Sequence, residues 1–377
     1  MTTRRQFTVA AAAALMAAPA LLKAQGNGRI ILGQSAAFTG PAAELGIQFH
    51  QGAKIWFDQI NALGGIAGKT IEIKTMDDGY EPDRCAENTQ KLLAEDVFAL
   101  FGYIGTPTSL AALPLLTKAQ VPFIAPFTGA MGLRVPFNRQ VFHLRASYND
   151  ETALIVKQLT NLGLQKIAVF RQNDAYGKAG LDGVTLALGK LNLKPIAEAT
   201  VERNSVDVDA AVKKLMAAAP DAVVQISAYK SCAAFIRAAR KAGYGGTFFN
   251  VSFVGTQALA DELGKDGAGI VVSQVVPSPY SPVRPIAREF GEAVKKAGGS
   301  AQANYSSLEG YLAAKLLTEG LRRAGKNINT REGLIQGLEA IGSQSLGGFQ
   351  VNISAMDHVA SSFVELSMLT GDGRVRT

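Results

Sequence analysis

Short apolar blocks alternate with longer stretches in which apolar residues recur at helical spacing along this chain. Arg29–Ser35 reads as a first strand, followed by an amphipathic helix over Glu44–Leu63 with Phe49, Ala53, Trp56, Ile60 and Leu63 on one face. Asn61-Ala62-Leu63-Gly64-Gly65 ends that helix on a glycine cap. Thr70–Met76 alternates Ile71, Ile73 and Thr75 against Glu72 and Lys74, which predicts a half-exposed strand. Helix Pro82–Ala94, strand Val97–Phe101, helix Pro107–Ala119 and strand Val121–Ala125 complete a strand–helix alternation that calls for a parallel sheet covered on both faces.

The pattern restarts after Val141–Arg145. Helix Asp150–Leu162, strand Lys166–Phe170, helix Tyr176–Leu191, strand Pro195–Val201, helix Val206–Ala218, strand Ala222–Ser227, helix Ser231–Ala242, strand Thr247–Val251, helix Thr256–Leu263 and strand Gly269–Val275 form a second α/β unit. Pro277–Pro285 is a rigid, proline-rich connection. Helices Ile286–Ala297, Tyr305–Ala324 and Arg331–Ala340 follow, and the tail Phe349–Met368 holds two more strands. Two similar halves joined by several crossings predict a cleft, and ligands of open α/β sheets sit beyond the carboxyl ends of the strands.

Phe101–Ser109 (FGYIGTPTS) lies at such an end. A buried strand runs into a Gly-rich turn, and a helix starts with Thr106 as its expected N-cap and Pro107 at its first helical position. Free N–H groups and the helix dipole converge there, which suits a carboxylate or phosphate.

Composition narrows the class. Hydrophobic content of 47% and charged content of 18% fit a globular protein. The first 24 residues carry Arg4-Arg5-Gln6-Phe7 ahead of an Ala-rich apolar run, Val9 to Leu22, and are expected to be an export signal of twin-arginine type. Its removal, with Arg4, Arg5 and Lys23, lowers the formal charge from +7 to +4. No Lys/Arg stripe supports nucleic-acid binding. Cys85 and Cys232 fall in different halves and are expected as buried free thiols.

Catalytic chemistry is missing from the pattern. Gly68-Lys69-Thr70 lacks the upstream glycine of a phosphate loop and precedes a strand. His50, His143 and His358 have no metal-ligand spacing, and there is no G-x-S-x-G elbow. Catalytic residues, metal and cofactor are therefore expected to be none, and the chain is read as a binder rather than an enzyme.

Thr39-Gly40-Pro41-Ala42-Ala43-Glu44-Leu45-Gly46, Ile60 through Gly68, Asp77-Asp78 and Pro82 together resemble the periplasmic branched-chain amino acid (Leu/Ile/Val) binding proteins. The likeness extends through Gly102, Pro122, Ile124-Ala125-Pro126, Tyr176-Gly177, Gly243 and Tyr305 to Tyr311, across essentially the whole mature chain. It implies a type I periplasmic-binding fold, with two Rossmann-like three-layer α/β/α lobes joined by three crossings. Residues 25–147 and 277–350 are assigned to lobe 1, and 148–276 and 351–377 to lobe 2. It further implies a monomeric substrate-binding protein of the periplasm that closes on a small solute and delivers it to an ABC permease in the inner membrane.

By the same resemblance, Thr106 holds the ligand carboxylate, with Gly105 and Thr108 beside it. Gly129 stands where the family usually places a second Thr, with Thr128 and Phe127 adjacent. Tyr176 and Tyr229 match ligand-reaching tyrosines, and Tyr148 is placed near the cleft. Arg145 is open to two readings, an anion-favouring cleft cation or a hinge-packing ion pair; Gln274 is a weaker cleft candidate.

The family's ammonium-binding Glu is replaced by Ser252 in Val251-Ser252-Phe253-Val254-Gly255. An ammonium enclosed without a carboxylate loses roughly 3–5 kcal/mol, or about 10²–10³·⁵ in affinity. Glu44 and Asp174 do not occupy the matching place. Leu45 and Phe253 make the surroundings apolar. The expected ligand is a carboxylate without an α-ammonium, an aromatic or short aliphatic acid. The alternatives are a branched-chain or other amino acid binder, and a ligand-sensing periplasmic module.

Overall fold

The computed structural model describes residues 28–377; the expected export signal over residues 1–24 lies outside the described residues. The first sheet is parallel, in the order β2 (Thr70–Asp77), β1 (Arg29–Ala36), β3 (Ala99–Phe101), β4 (Phe123–Ile124) and β5 (Val141–Phe142). Helices α1 (Ala43–Ala62), α2 (Pro82–Ala94) and α3 (Thr106–Ala119) connect its strands. This is the right-hand crossover logic of parallel βαβ units.

The second sheet runs β14 (Val375–Arg376), β13 (Glu365–Leu369), β10 (Val271–Gln274), β9 (Thr247–Asn250), β8 (Ala222–Ile226), β6 (Ile167–Gln172) and β7 (Ala197–Val201). Its helices are α4 (Tyr148–Asn161), α5 (Ala175–Gly189), α6 (Asp209–Ala217), α7 (Tyr229–Lys241) and α8 (Thr256–Leu263). Strands β13 and β14 add antiparallel to the far edge.

The chain leaves the first lobe after β5 and returns after β10 through α9 (Pro285–Ala297), α10 (Tyr305–Ala324) and α11 (Arg331–Glu339). It leaves again after the hairpin β11 (Gly342–Leu346) and β12 (Phe349–Ile353). The first and third crossings lie side by side, since the N–H of His143 donates to His358 O and the N–H of Ala360 donates to His143 O, each at 2.8 Å. Helices α1 and α10 close the first lobe, with Trp56 Nε1 donating to Thr318 Oγ1 at 2.9 Å and its ring set edge-on against Tyr311.

Several element ends differ from the pattern reading. Leu63, expected on the apolar face, is 83% exposed because it caps the end of α1 rather than facing inward. Helix α4 begins at Tyr148, earlier than the hydrophobic spacing suggests, because Ser147 and Asp150 form a reciprocal capping box. Helix α7 also starts earlier than its spacing suggests, at Tyr229, with Ala228 as its N-cap and Cys232 N–H donating to Ala228 O at 3.0 Å. Hairpin strand β11 carries no apolar alternation strong enough to have been read. Both cysteines are buried free thiols.

Candidate functional site

The carboxyl ends of β3 and β4 bring two hydroxyls together. Thr106 Oγ1 and Thr128 Oγ1 are 2.6 Å apart and both residues are buried. Thr106 is the first residue of α3 and Gly105 takes the N-cap position, correcting the expected capping role of Thr106. No side chain caps this helix, Pro107 has no N–H, and the first helical bond is Ser109 N–H to Gly105 O at 3.2 Å. Among the described residues the N–H groups of Thr106 and Thr108 have no protein acceptor. Two donors without acceptors among the described residues, a dipole end and a hydroxyl pair make a setting that favours negative charge.

Aromatic rings from both lobes wall the space around it. Phe253 of lobe 2 lies 5.7 Å from Phe127 and 5.8 Å from Tyr80 of lobe 1, and 4.6 Å from Tyr176 of its own lobe. Tyr176 is 5.4 Å from Tyr148, whose hydroxyl sits 3.4 Å from Thr128 Oγ1. All five aromatics are buried. Among the described residues the buried phenol of Tyr176 has no hydrogen-bond partner, and burial pushes its pKa up, so it is a neutral donor. Leu45 meets lobe 2 at the same cleft: a Cβ on Gly255 would lie 2.4 Å from Leu45 Cδ2.

The floor is charged. Arg145 donates from Nε and Nη2 to both carboxylate oxygens of Glu309 on α10, each at 2.7 Å, and lies 4.0 Å over the Phe127 ring. Of the two readings open for Arg145, the hinge-packing pair is the one the geometry presents. Arg134, whose pKa burial lowers to about 10, donates to Ala130 O at 3.1 Å and Arg145 O at 2.9 Å, so it ties the Thr128 loop to the first crossing.

Glu151 on α4 is wholly buried and reaches Ser252. Its carboxylate accepts from Ser252 N–H at 2.7 Å, Ser252 Oγ at 3.1 Å and Ser273 Oγ at 2.5 Å. Burial raises its pKa, opposed by the Arg145 charge and these bonds.

The family profile described as periplasmic binding protein matches residues 29–373. The Leu/Ile/Val-binding protein homolog 7 of Brucella suis biovar 1 (strain 1330) is 27% identical over 312 residues, 78% of this chain and 77% of that protein. The crystal structure of a possible leucine/isoleucine/valine-binding protein from Rhodopirellula baltica SH 1 superposes with a TM-score of 0.88 at 34% identity, covering 92% of this chain and 95% of that one. A substrate-binding periplasmic protein from Ralstonia solanacearum superposes with a TM-score of 0.86 at 30% identity, covering 92% and 99%. The chain belongs to the periplasmic binding protein family.

Membership assigns this periplasmic binding protein the type I fold of the branched-chain amino acid group, a place in the periplasm and a relationship to substrate-binding proteins of ABC transporters. No helix among the described residues is long and apolar enough to cross a membrane, and no cluster of metal-ligating side chains forms among them.

The sequence-predicted residues divide by place. Thr106, Phe127, Thr128, Tyr148, Tyr176 and Phe253 converge on the cleft. Thr108 turns its hydroxyl back to Ile104 O at 2.5 Å and Gly105 O at 3.1 Å, and so braces the turn. Gly129 offers its carbonyl to Tyr148 N–H at 2.8 Å. Ser252 spends both polar groups on Glu151. Tyr229 stands buried at the start of α7, and burial raises its pKa. Gln274 Nε2 donates within lobe 2, to Thr256 Oγ1 at 2.8 Å and Ser367 Oγ at 2.7 Å. Sequence reasoning missed Tyr80 and Glu151. Tyr80 follows Asp77-Asp78-Gly79, which signals a tight turn at a strand's carboxyl end; Glu151 gives no signal, since one carboxylate early in a helix is ordinary.

Proposed function

We propose that this protein captures a small carboxylate-bearing solute between its lobes and delivers it to an ABC permease, and that the solute is an aromatic or short aliphatic acid without an α-ammonium. The observation that carries the reading is the uncapped start of α3, where two free N–H groups adjoin the Thr106–Thr128 hydroxyl pair. The aromatic walls favour an apolar body behind the carboxylate. Absence of an ammonium is supported by Ser252, which presents no charge, and by Glu151, three of whose acceptor positions are filled by protein donors. Capture closes the lobes about the crossings, with no covalent step, no cofactor and no nucleic acid, and the protein acts as a monomer exported by a twin-arginine signal.

A second reading has its own observation. Glu151 lies against the position where relatives are expected to hold an ammonium, and Arg145 is paired with Glu309, so among the described residues no cation is bonded directly to the Glu151 carboxylate. An amino acid would balance it, in keeping with the Leu/Ile/Val-binding names of the relatives.

A thermal-shift screen followed by calorimetry over benzoate, keto acids, dicarboxylates and amino acids decides between them. A bound probe at about 100 times its dissociation constant adds about 2.7 kcal/mol of stability. Tight leucine binding with no response to benzoate or keto acids would overturn the acid reading.

A further inference from the structure

Two turns meet across the mouth of the cleft, outside the residues matched to any ligand role. On lobe 1, the turn after β2 runs Asp77-Asp78-Gly79-Tyr80-Glu81. Asp78 accepts Tyr80 N–H at 2.8 Å and Ser35 Oγ at 2.8 Å, and Asp77 accepts Gly79 N–H at 3.1 Å. The turn holds Tyr80 at φ 65°, left-handed for a residue with a Cβ, and puts its ring against Gly105, where a Cβ would lie 2.2 Å from Tyr80 Cε2. Tyr80 therefore overhangs the α3 start. On lobe 2, the turn after β7 carries Arg203 and Asn204, the latter also left-handed at φ 61°.

The bonds between these turns run from lobe to lobe. Asn204 Nδ2 donates to Gly79 O at 3.0 Å and Glu81 Oε1 at 2.7 Å. Arg203 donates to Glu81 Oε2 at 2.9 Å and to Asp174 Oδ2 at 3.4 Å. Gln172 Nε2 donates to Tyr80 OH at 3.2 Å and to Asp174 Oδ2 at 2.5 Å. Asp174 in turn caps α5 through Tyr176 N–H at 3.0 Å and Gly177 N–H at 3.3 Å. One polar chain thus joins the turn that carries Tyr80 to the helix end that carries Tyr176.

We propose that Tyr80 is a solute-contacting wall of the cleft and that Arg203 and Asn204 are its positioning residues, forming a cross-cleft latch that engages when the lobes shut. This rests on the cleft being the solute site, as proposed above. The latch touches no part of the carboxylate site, so it sets how long the closed form lasts rather than which acid is recognised. Tyr80 couples the two through its contacts with Gly105 and Phe253, and Asp174 does so through the helix end that carries Tyr176.

The test is hydrogen exchange of the mature chain, alone and with millimolar benzoate or millimolar L-leucine. Asn204→Ala and Arg203→Ala, both on lobe 2, are expected to speed exchange of the 79–81 amides on lobe 1 about tenfold in at least one condition, with β1 unchanged. Tyr80→Phe, which keeps the ring and loses the Gln172 bond, is expected to have a smaller effect in the same direction. Wild-type exchange at 79–81 in both lobe 2 variants under all three conditions overturns the latch. Calorimetry on Thr106→Ala reads the cleft assignment separately: unchanged binding of a probe that binds wild type would remove the site while leaving the exchange result intact.

Discussion

Ser252 and Glu151 are bonded twice, the backbone N–H and the hydroxyl of the serine both donating to one buried carboxylate at 2.7 and 3.1 Å. Ser252 therefore has an acid behind it, supplied by α4.

Glu151→Gln separates the two ligand readings. For an acid without an ammonium, the affinity of a bound benzoate or keto acid should stay within about threefold, since the amide keeps acceptor capacity for the serines. For an amino acid, removal of the charge should cost about 10²–10³·⁵ in affinity. Calorimetry on the variant reads the difference directly.

The same residue predicts a pH dependence of stability. Burial raises the Glu151 pKa in the folded protein, so the native state holds this proton at pH values where the unfolded chain has released it. Its contribution to stability is full below the ordinary glutamate range and is lost as pH rises through the raised value. Urea midpoints measured across that window should fall with pH by less in Glu151→Gln than in wild type; parallel curves would show that Glu151 does not titrate there.

The hydroxyl pair predicts coupled losses. Thr106→Ala or Thr128→Ala should weaken a bound carboxylate by about 10- to 100-fold, the worth of a hydrogen bond to a charged group. Because the two oxygens are 2.6 Å apart, the double variant should lose less than the product of the single losses. Full multiplicativity in calorimetric affinities would mean that the hydroxyls act on the ligand independently.

How much of this was visible in the chain follows from the range of each signal. Strand–helix alternation is local and periodic, so both sheets and the α3 start could be read from spacing. Phe127, Thr128 and Tyr176 were legible through the family resemblance, and they stand, with Tyr148 and Phe253, after strand ends or at helix starts, where a parallel sheet places its ligand. Glu151 was not legible because its partners, Ser252 and Ser273, are brought to it only by the packing of α4 on the second sheet. Arg145 was legible as important and ambiguous in role, because its partner Glu309 enters from the return segment after the second crossing. The helix starts at Tyr148 and Tyr229 are set by local bonds, a side-chain capping box in the first and a backbone bond to Ala228 in the second, that hydrophobic spacing does not encode.

The Arg145–Glu309 pair predicts a large stability loss from a small change. Both side chains are buried and doubly bonded. Glu309→Ala leaves a buried guanidinium unpaired and should cost about 3–5 kcal/mol in urea unfolding. Replacing both residues with apolar ones of similar volume should cost much less. Equal losses for the single and paired variants would mean that packing, rather than charge, sets the value of this contact.

Gly105 joins the start of α3 to Tyr80, and its substitution should act through two separable routes. Its φ of 101° is open to glycine and closed to L side chains, so Gly105→Ala should cost about 1–3 kcal/mol from the backbone alone. The added Cβ would also meet the Tyr80 ring at 2.2 Å, which forces the ring from the cleft wall. Gly105→Ala combined with Tyr80→Ala removes the clash and leaves the backbone strain. Urea unfolding should therefore show a smaller loss in the double variant than the sum of the single ones. If the losses add, the ring does not rest on Gly105 in solution, and Tyr80 cannot overhang the start of α3.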